Sequence, residues 1–325
     1  MVNISVVIPC YNEEAVLPVF REKLEEAAGK IRSASEGGIG FEFIFVDDGS
    51  DDGTLDLLKK FTAGDTITRY ISFSRNFGKE AAIFAGLEAS KGDYIVLMDA
   101  DLQDPPEMIA EMYSMAATGD YDCVAARRAD RKGEPLFRSL LSKLFYRIIN
   151  RISDVQIVSG ARDFRLMSRK YCNAVLKVGE YNRFSKGIFK WVGFKTAWID
   201  YANSERAAGK TKWSFYKLVR YSLEGTMSFS SAPLAAASLI GLLFCLISFI
   251  LICVIIIKTL VFGDPTSGWP SLACIVFFVG GVQLFCTGIV GEYISRIYLE
   301  TKKRPLYIIN EKSYSSDKLN TDDKN

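Results

Sequence analysis

Residues 94–107 read YIVLMDADLQDPPE, a short apolar run that stops on Asp99-Ala100-Asp101. Such a run predicts a strand buried in a sheet, with two carboxylates delivered to the sheet's edge. At i and i+2 both can reach one cation, and Gln103 extends the row with a neutral oxygen. Hard oxygen ligands at an open site suit Mg²⁺ or Mn²⁺, bound through one or two carboxylates plus a substrate phosphate. Taken alone, a DxD is more often a solvated acidic turn after a strand. The rest of the chain decides between the two.

Working outward, the first 125 residues alternate strand and helix signals. ISVVIP, FEFIFVDD, TRYISFS, YIVLMDAD and YDCVAAR read as five strands. Between them lie the helical patterns NEEAVLPVFREKLEEAAGKI, with Asn12 as N-cap, then TLDLLKKF and GKEAAIFAGLEAS. This alternation predicts βαβ units, a mostly parallel sheet, and ligands at the C-terminal ends of the strands. Those ends carry Pro9-Cys10-Tyr11-Asn12-Glu13, Asp47-Asp48-Gly49-Ser50, Asn76-Phe77-Gly78-Lys79 and Asp99-Ala100-Asp101. Four polar clusters therefore converge on one edge.

Composition narrows the chemistry. The 325 residues are 49% hydrophobic and 24% charged with a net charge of +2, which points away from nucleic acid as a partner. There is no histidine, so Ser-His-Asp, Cys-His and histidine-ligand chemistries are excluded. Seven cysteines show no CxxC pairing; four lie in apolar stretches, where they serve as small hydrophobes.

No charge occurs from Gly225 to Ile257 or from Pro265 to Gly291. Each stretch is long enough to cross a hydrocarbon core of about 30 Å. Lys210, Lys212, Lys217 and Arg220 precede the first; Arg296, Lys302, Lys303 and Arg304 follow the second. The loop between holds only Lys258 and Asp264, so both ends are expected on the cytoplasmic side. The N-terminal MVNISVVIPCYNEE has no basic flank and shows no cleavable signal, which places the first 230 residues in the cytosol. Two further segments are amphipathic. RSLLSKLFYRIINRI (138–152) is a basic helix suited to an anionic membrane surface or to core packing, and 213–229 mixes tryptophan, tyrosine, lysine and arginine ahead of the first span.

In that order and spacing, VVIPCYNEE, FVDDGSDDGT, DADLQDPPE, SGARDFRLMSRK and RAAGKTKWS resemble the GT-A-fold family 2 glycosyltransferases. More narrowly they resemble the polyprenyl-phosphate sugar transferases, which include dolichyl-phosphate mannose synthase and the bactoprenol enzymes. The similarity covers residues 3 to about 300. It implies an α/β GT-A catalytic domain (Rossmann-like, mostly parallel sheet), then interfacial helices and two transmembrane helices. The corresponding divisions are a cytosolic catalytic domain at 1–212, an interfacial helix at 213–231, a two-helix membrane hairpin at 232–295 and a cytosolic tail at 296–325.

The resemblance also implies roles. Pro9, Tyr11, Glu13, Asp47 and Asp48 would line the nucleobase and ribose, and Ala100 would approach the ribose. Asp99, Asp101 and Gln103 would hold Mg²⁺ or Mn²⁺ against the diphosphate. Arg128, Arg138 and Ser142 match acceptor-phosphate positions, while Arg206 and Lys212 match donor- or acceptor-phosphate ligands. Asp163 of the RDF sequence is the position of a catalytic base, or of a group that orients the acceptor or an arginine. Asp51, Asp52, Arg127 and Arg131 read as ordinary solvated charges. The implied reaction moves one hexose with inversion from a nucleotide sugar, UDP-glucose by analogy, to undecaprenyl phosphate at the cytoplasmic membrane. UDP-N-acetylglucosamine, GDP-mannose and UDP-galactose stay open as donors. A homo-oligomer and a flippase partner are compatible with this arrangement.

Two rival readings are weaker. A processive polysaccharide synthase would carry a QxxRW pattern, and none of the three glutamines begins one. A non-catalytic nucleotide-binding membrane scaffold would have lost the metal carboxylates, which are intact.

Overall fold

The computed structural model describes residues 2–35, 37–128, 161–201, 232–262 and 268–313. Strands β1 (Val2–Cys10), β2 (Ile39–Asp47), β3 (Thr68–Phe73), β4 (Tyr94–Leu97), β5 (Cys123–Arg128), β6 (Ala161–Ser168), β7 (Thr196–Tyr201) and β8 (Ile309–Lys312) form one sheet. Its order is β7-β5-β6-β4-β1-β2-β3-β8. Strands β3, β2, β1 and β4 are mutually parallel, and β5 pairs parallel with β7. Only β6 and β8 run against the rest. The chain winds outward from β1 to β3 and then returns to the other side of β1 to lay down β4. The ends of β1 and β4 thus flank the switch point where open α/β sheets bind ligands.

Period-two alternation sets the two faces. Ile4, Val6 and Ile8 of β1 join the core shared with helices α1 (Leu17–Ala34), α2 (Thr54–Thr62) and α4 (Met108–Ala117). Val7 points the other way, into the core shared with α3 (Lys79–Ala89), α5 (Arg169–Lys177) and α6 (Ser185–Trp191). Helix α1 buries Leu17, Phe20, Leu24, Ala28 and Ile31, one stripe at helical spacing. Helix α3 comes so close to the sheet that a Cβ at Gly86 would overlap Val7.

Two expectations are corrected here. Asn12 is not the cap of α1, which begins only at Leu17; Asn12 sits at φ 56 and accepts from the Asp51 N–H at 2.9 Å. Its short amide tolerates the left-handed backbone, so it turns the chain and ties two loops together. Strand β4 ends at Leu97, which places the DxD in the following turn. After the second long apolar stretch the chain returns to the sheet: β8 adds to β3, Tyr307 stacks on Phe73 at 4.8 Å, and its hydroxyl donates to Glu88 at 2.5 Å.

Helices α7 (Ala232–Phe262) and α8 (Trp269–Thr301) contain windows long and apolar enough to cross a membrane. Their large apolar side chains, such as Phe249, Leu260 and Leu284, are exposed, the reverse of core helices in a soluble protein. The rings of Phe244 and Phe278 meet at 5.3 Å between them. The two amphipathic segments at 138–152 and 213–229 lie outside the described residues.

Candidate active site

The four polar clusters come from the ends of β1, β2, β3 and β4, and each is shaped by its turn. After β2, Asp47 is fully buried and accepts from the Ser50 N–H at 3.0 Å and the Ser72 hydroxyl at 2.7 Å. Gly49 follows at φ 66, where a Cβ would collide with the Arg75 backbone, so only glycine fits. Asp48, 3% exposed, accepts from the Phe77 N–H at 2.7 Å and from the Gly78 N–H at 2.9 Å. Burial pushes its carboxyl up to about 6, against the pull of those two amides. Both carboxylates, expected at the nucleobase and ribose, are thus turned inward here. They fix the β2–α2 and β3–α3 loops.

Asp48 aligns the loop that launches α3, and Lys79 is that helix's first residue. Its ammonium lies 2.8 Å from Asp99 and 2.6 Å from Asp163. One lysine therefore joins the DxD turn after β4 to the RDF on β6, two strands that are neighbours in the sheet. Burial works against the lysine's charge, but attraction to Asp163 and Asp99 outweighs it and holds its pKa well above the ordinary value. Burial likewise opposes ionisation of Asp163; Lys79, Lys186 and Arg165 overcome it and hold the carboxyl well below the usual range. Asp163 is thus an ionised counter-charge at any physiological pH.

In the DxD turn Ala100 is buried and Leu102 adopts φ 58, an uncommon left-handed position for a non-glycine residue. The turn is braced three ways. Asp101 accepts from the Gln103 N–H at 3.1 Å, the Gln103 side-chain oxygen accepts from Arg162 at 3.2 Å, and buried Asp104 accepts from the Tyr201 hydroxyl. The oxygen expected to serve as a third metal ligand therefore faces an arginine in this structure. Asp99 and Asp101 remain as hard oxygen donors, and among the described residues no cluster of three acidic or cysteine ligands forms. Two carboxylates at i and i+2 fit a Mg²⁺ or Mn²⁺ ion that takes its other ligands from water and phosphate.

Pro9, Tyr11 and Glu13 stand at or just past the end of β1, with Tyr11 exposed. Arg128 closes β5, in register with Tyr201. Arg138, Ser142, Arg206 and Lys212 lie outside the described residues, as does Arg131. Two residues read as solvated charges have partners: Arg127 donates two hydrogen bonds to the Asp200 carboxylate at 2.6 and 2.7 Å, and Asp52 accepts from the Thr54 N–H at 3.0 Å. Sequence reasoning placed Lys79 among the four polar strand ends but gave it no role, and it assigned none to Arg162, Lys186 or Tyr201. For Lys79 there was a signal, because a cation on the first turn of a helix opposes the helix dipole.

The chain matches the family "Glycosyl transferase family 2" over residues 5–176, a span that holds all four polar strand ends. It belongs to glycosyltransferase family 2. This glycosyltransferase is 42% identical to the bactoprenol glucosyl transferase of Shigella phage SfV, across 95% of its own length and 99% of the relative's. It is 40% identical to the prophage bactoprenol glucosyl transferase homolog of Escherichia coli K12, across 94% and 98%. Among solved structures it is similar to glucosyl-3-phosphoglycerate synthase from Mycobacterium tuberculosis at 20% identity. That match has a TM-score of 0.42 and covers 68% of this chain and 76% of that one.

Proposed function

We propose that this glycosyltransferase moves a single glucose from UDP-glucose to undecaprenyl phosphate with inversion, at the cytoplasmic membrane. The observation that carries the reading is the convergence of Asp99 and Asp163 on Lys79 at the sheet's ligand-binding edge, in a chain with two exposed apolar helices. The sugar and the lipid follow from the near-complete similarity to relatives named bactoprenol glucosyl transferase.

An oxygen of the acceptor phosphate attacks the anomeric carbon from the side opposite the diphosphate. The bond from that carbon to the leaving oxygen breaks, and UDP departs with the electron pair. Asp99 and Asp101 would hold Mg²⁺ or Mn²⁺, which when bound neutralises charge on the leaving diphosphate. The acceptor monoester has a second pKa of about 6, so near neutral pH it needs no strong base. Asp163, held ionised by its cations, acts as an orienting counter-charge. Pro9, Tyr11 and Glu13 contact the base and ribose. Arg128, Arg138, Ser142, Arg206 and Lys212 serve the two phosphates.

In this reading residues 1–212 form the cytosolic catalytic domain and 213–231 an interfacial helix. Residues 232–295 form the membrane hairpin and 296–325 the cytosolic tail. The lipid phosphate then meets the donor at headgroup level and the acceptor never leaves the bilayer.

The test is incubation of the purified full chain with undecaprenyl phosphate, Mg²⁺ and labelled UDP-glucose, UDP-N-acetylglucosamine or GDP-mannose. A lipid carrying one glucose is expected from UDP-glucose. Absence of lipid-linked product across all three donors overturns the reading.

A further inference from the structure

We infer that Lys79 is a phosphate-binding catalytic residue, whose ammonium exchanges its bonds to Asp99 and Asp163 for the phosphate oxygens of the nucleoside diphosphate. The inference rests on the donor half of the function proposed above.

Position comes first. Lys79 Nζ lies 2.8 Å from Asp99 and 2.6 Å from Asp163, so it occupies the point where the donor-side and acceptor-side carboxylates approach each other. Transfer between two phosphates requires their oxygens to gather about one sugar carbon, and that point is where their charge concentrates. An ammonium has three N–H donors and carries no geometric fork. Two of the three go to Asp99 and Asp163, and the side chain is still 45% exposed, open to an incoming anion.

Its backbone position opposes the helix dipole, a cost that the two carboxylates outweigh. Lysine at the first position of α3 faces the positive end of the helix dipole, where an anion is favoured. The preceding loop is nevertheless built to hold it there. The Phe77 and Gly78 N–H groups are locked onto buried Asp48, and Gly78 takes φ 98, a backbone conformation suited to glycine. A cation held between two carboxylates on a stiff mount, at a ligand edge and still exposed, is the pattern of a binding residue. The same helix N-terminus adds its own positive potential toward an anion there.

Lys79 bridges Asp99 and the largely buried Asp163, which favour its charge, and its side chain stays 45% exposed, so the bridge leaves the ammonium accessible to an anion.

Binding to the full chain separates the roles without turnover. Uridine, UDP, guanosine and GDP are titrated against wild type, Lys79→Met and Lys79→Arg by calorimetry in detergent. Wild type is expected to prefer a diphosphate to its nucleoside. Lys79→Met should weaken that diphosphate about 10- to 100-fold, the size of a lost charged hydrogen bond. Its nucleoside affinity should stay within about twofold, which also reports an intact fold. Lys79→Arg, which keeps the charge, should recover most of the loss. Unchanged diphosphate binding in Lys79→Met, equal loss of nucleoside and diphosphate, or no diphosphate preference in wild type each overturns the assignment. Diphosphate preference without lipid product overturns the lipid acceptor and leaves Lys79 standing.

Discussion

Asp48→Ala probes how the loop ahead of Lys79 is held, and its size can be worked from the structure. The Asp48 carboxylate is 3% exposed and accepts the Phe77 N–H at 2.7 Å and the Gly78 N–H at 2.9 Å. Alanine leaves two buried donors without an acceptor, at about 1–3 kcal/mol each and about 2–6 kcal/mol together. Water can enter at this edge, so the loop is expected to open locally and the loss to sit near the lower figure.

Asp48→Asn separates hydrogen bonding from charge. Burial raises the folded pKa from 3.8 to about 6. The unfolded chain therefore releases this proton first, and the folded state holds it up to about pH 6. In that window the folded state binds more protons, so stability falls as pH rises. The cost of ionisation is fully present above the folded pKa. Between pH 4.5 and 7.5 the wild type should lose about 2 kcal/mol from this group, and Asn has no such slope. Asn therefore compares worse with wild type at pH 4.5 than at pH 7.5. Amide hydrogen exchange of a peptide spanning residues 74–79, with thermal unfolding in detergent at both pH values, reads both effects. Unchanged protection in Asp48→Ala, or an Asn-to-wild-type difference independent of pH, refutes the reasoning.

The remaining expectations concern the chemistry and the tail. Asp101→Asn should lower turnover by at least about 100-fold with the fold intact, a loss of the size seen when charge stabilisation is removed from a reacting centre. Asp163→Asn should lose less, because the acceptor phosphate is already ionised; the opposite order in single-turnover rates would make Asp163 an obligatory base. Tyr307→Ala removes the ring stacked on Phe73 at 4.8 Å and the bond to Glu88, together about 1–3 kcal/mol. Faster tryptic cleavage at Lys302 or Lys303 is expected, and a rate equal to wild type would show that Tyr307 does not anchor β8.

The central strands were legible because they bury both faces and read as nearly continuous apolar runs, such as ISVVIP and FEFIFV, broken only by Ser5 and Glu42. The DxD and RDF sequences were legible as separate motifs. Strand β6 was not, since its ARDFRLMS mixes arginines with apolar residues; Arg165 is 3% exposed and covers the Phe189 ring at 3.7 Å, which no local pattern foretells. Strand β8 was hidden for another reason. INEK has no apolar alternation, and it becomes a strand by pairing with β3 and placing Glu311 2.6 Å from Lys59.

By itself the sequence determined the βαβ alternation, the carboxylates after YIVLM and the two uncharged spans, because each is a matter of local period and composition. Tertiary structure alone decided what Asp99 faces. Lys79 lies 20 residues before it and 84 before Asp163, and the three meet only because β6 enters the sheet beside β4 with α3 packed against it. Local period places a side chain on a face or at a strand end. Which other end it meets depends on sheet order, and sheet order is set by how all the apolar faces are buried at once.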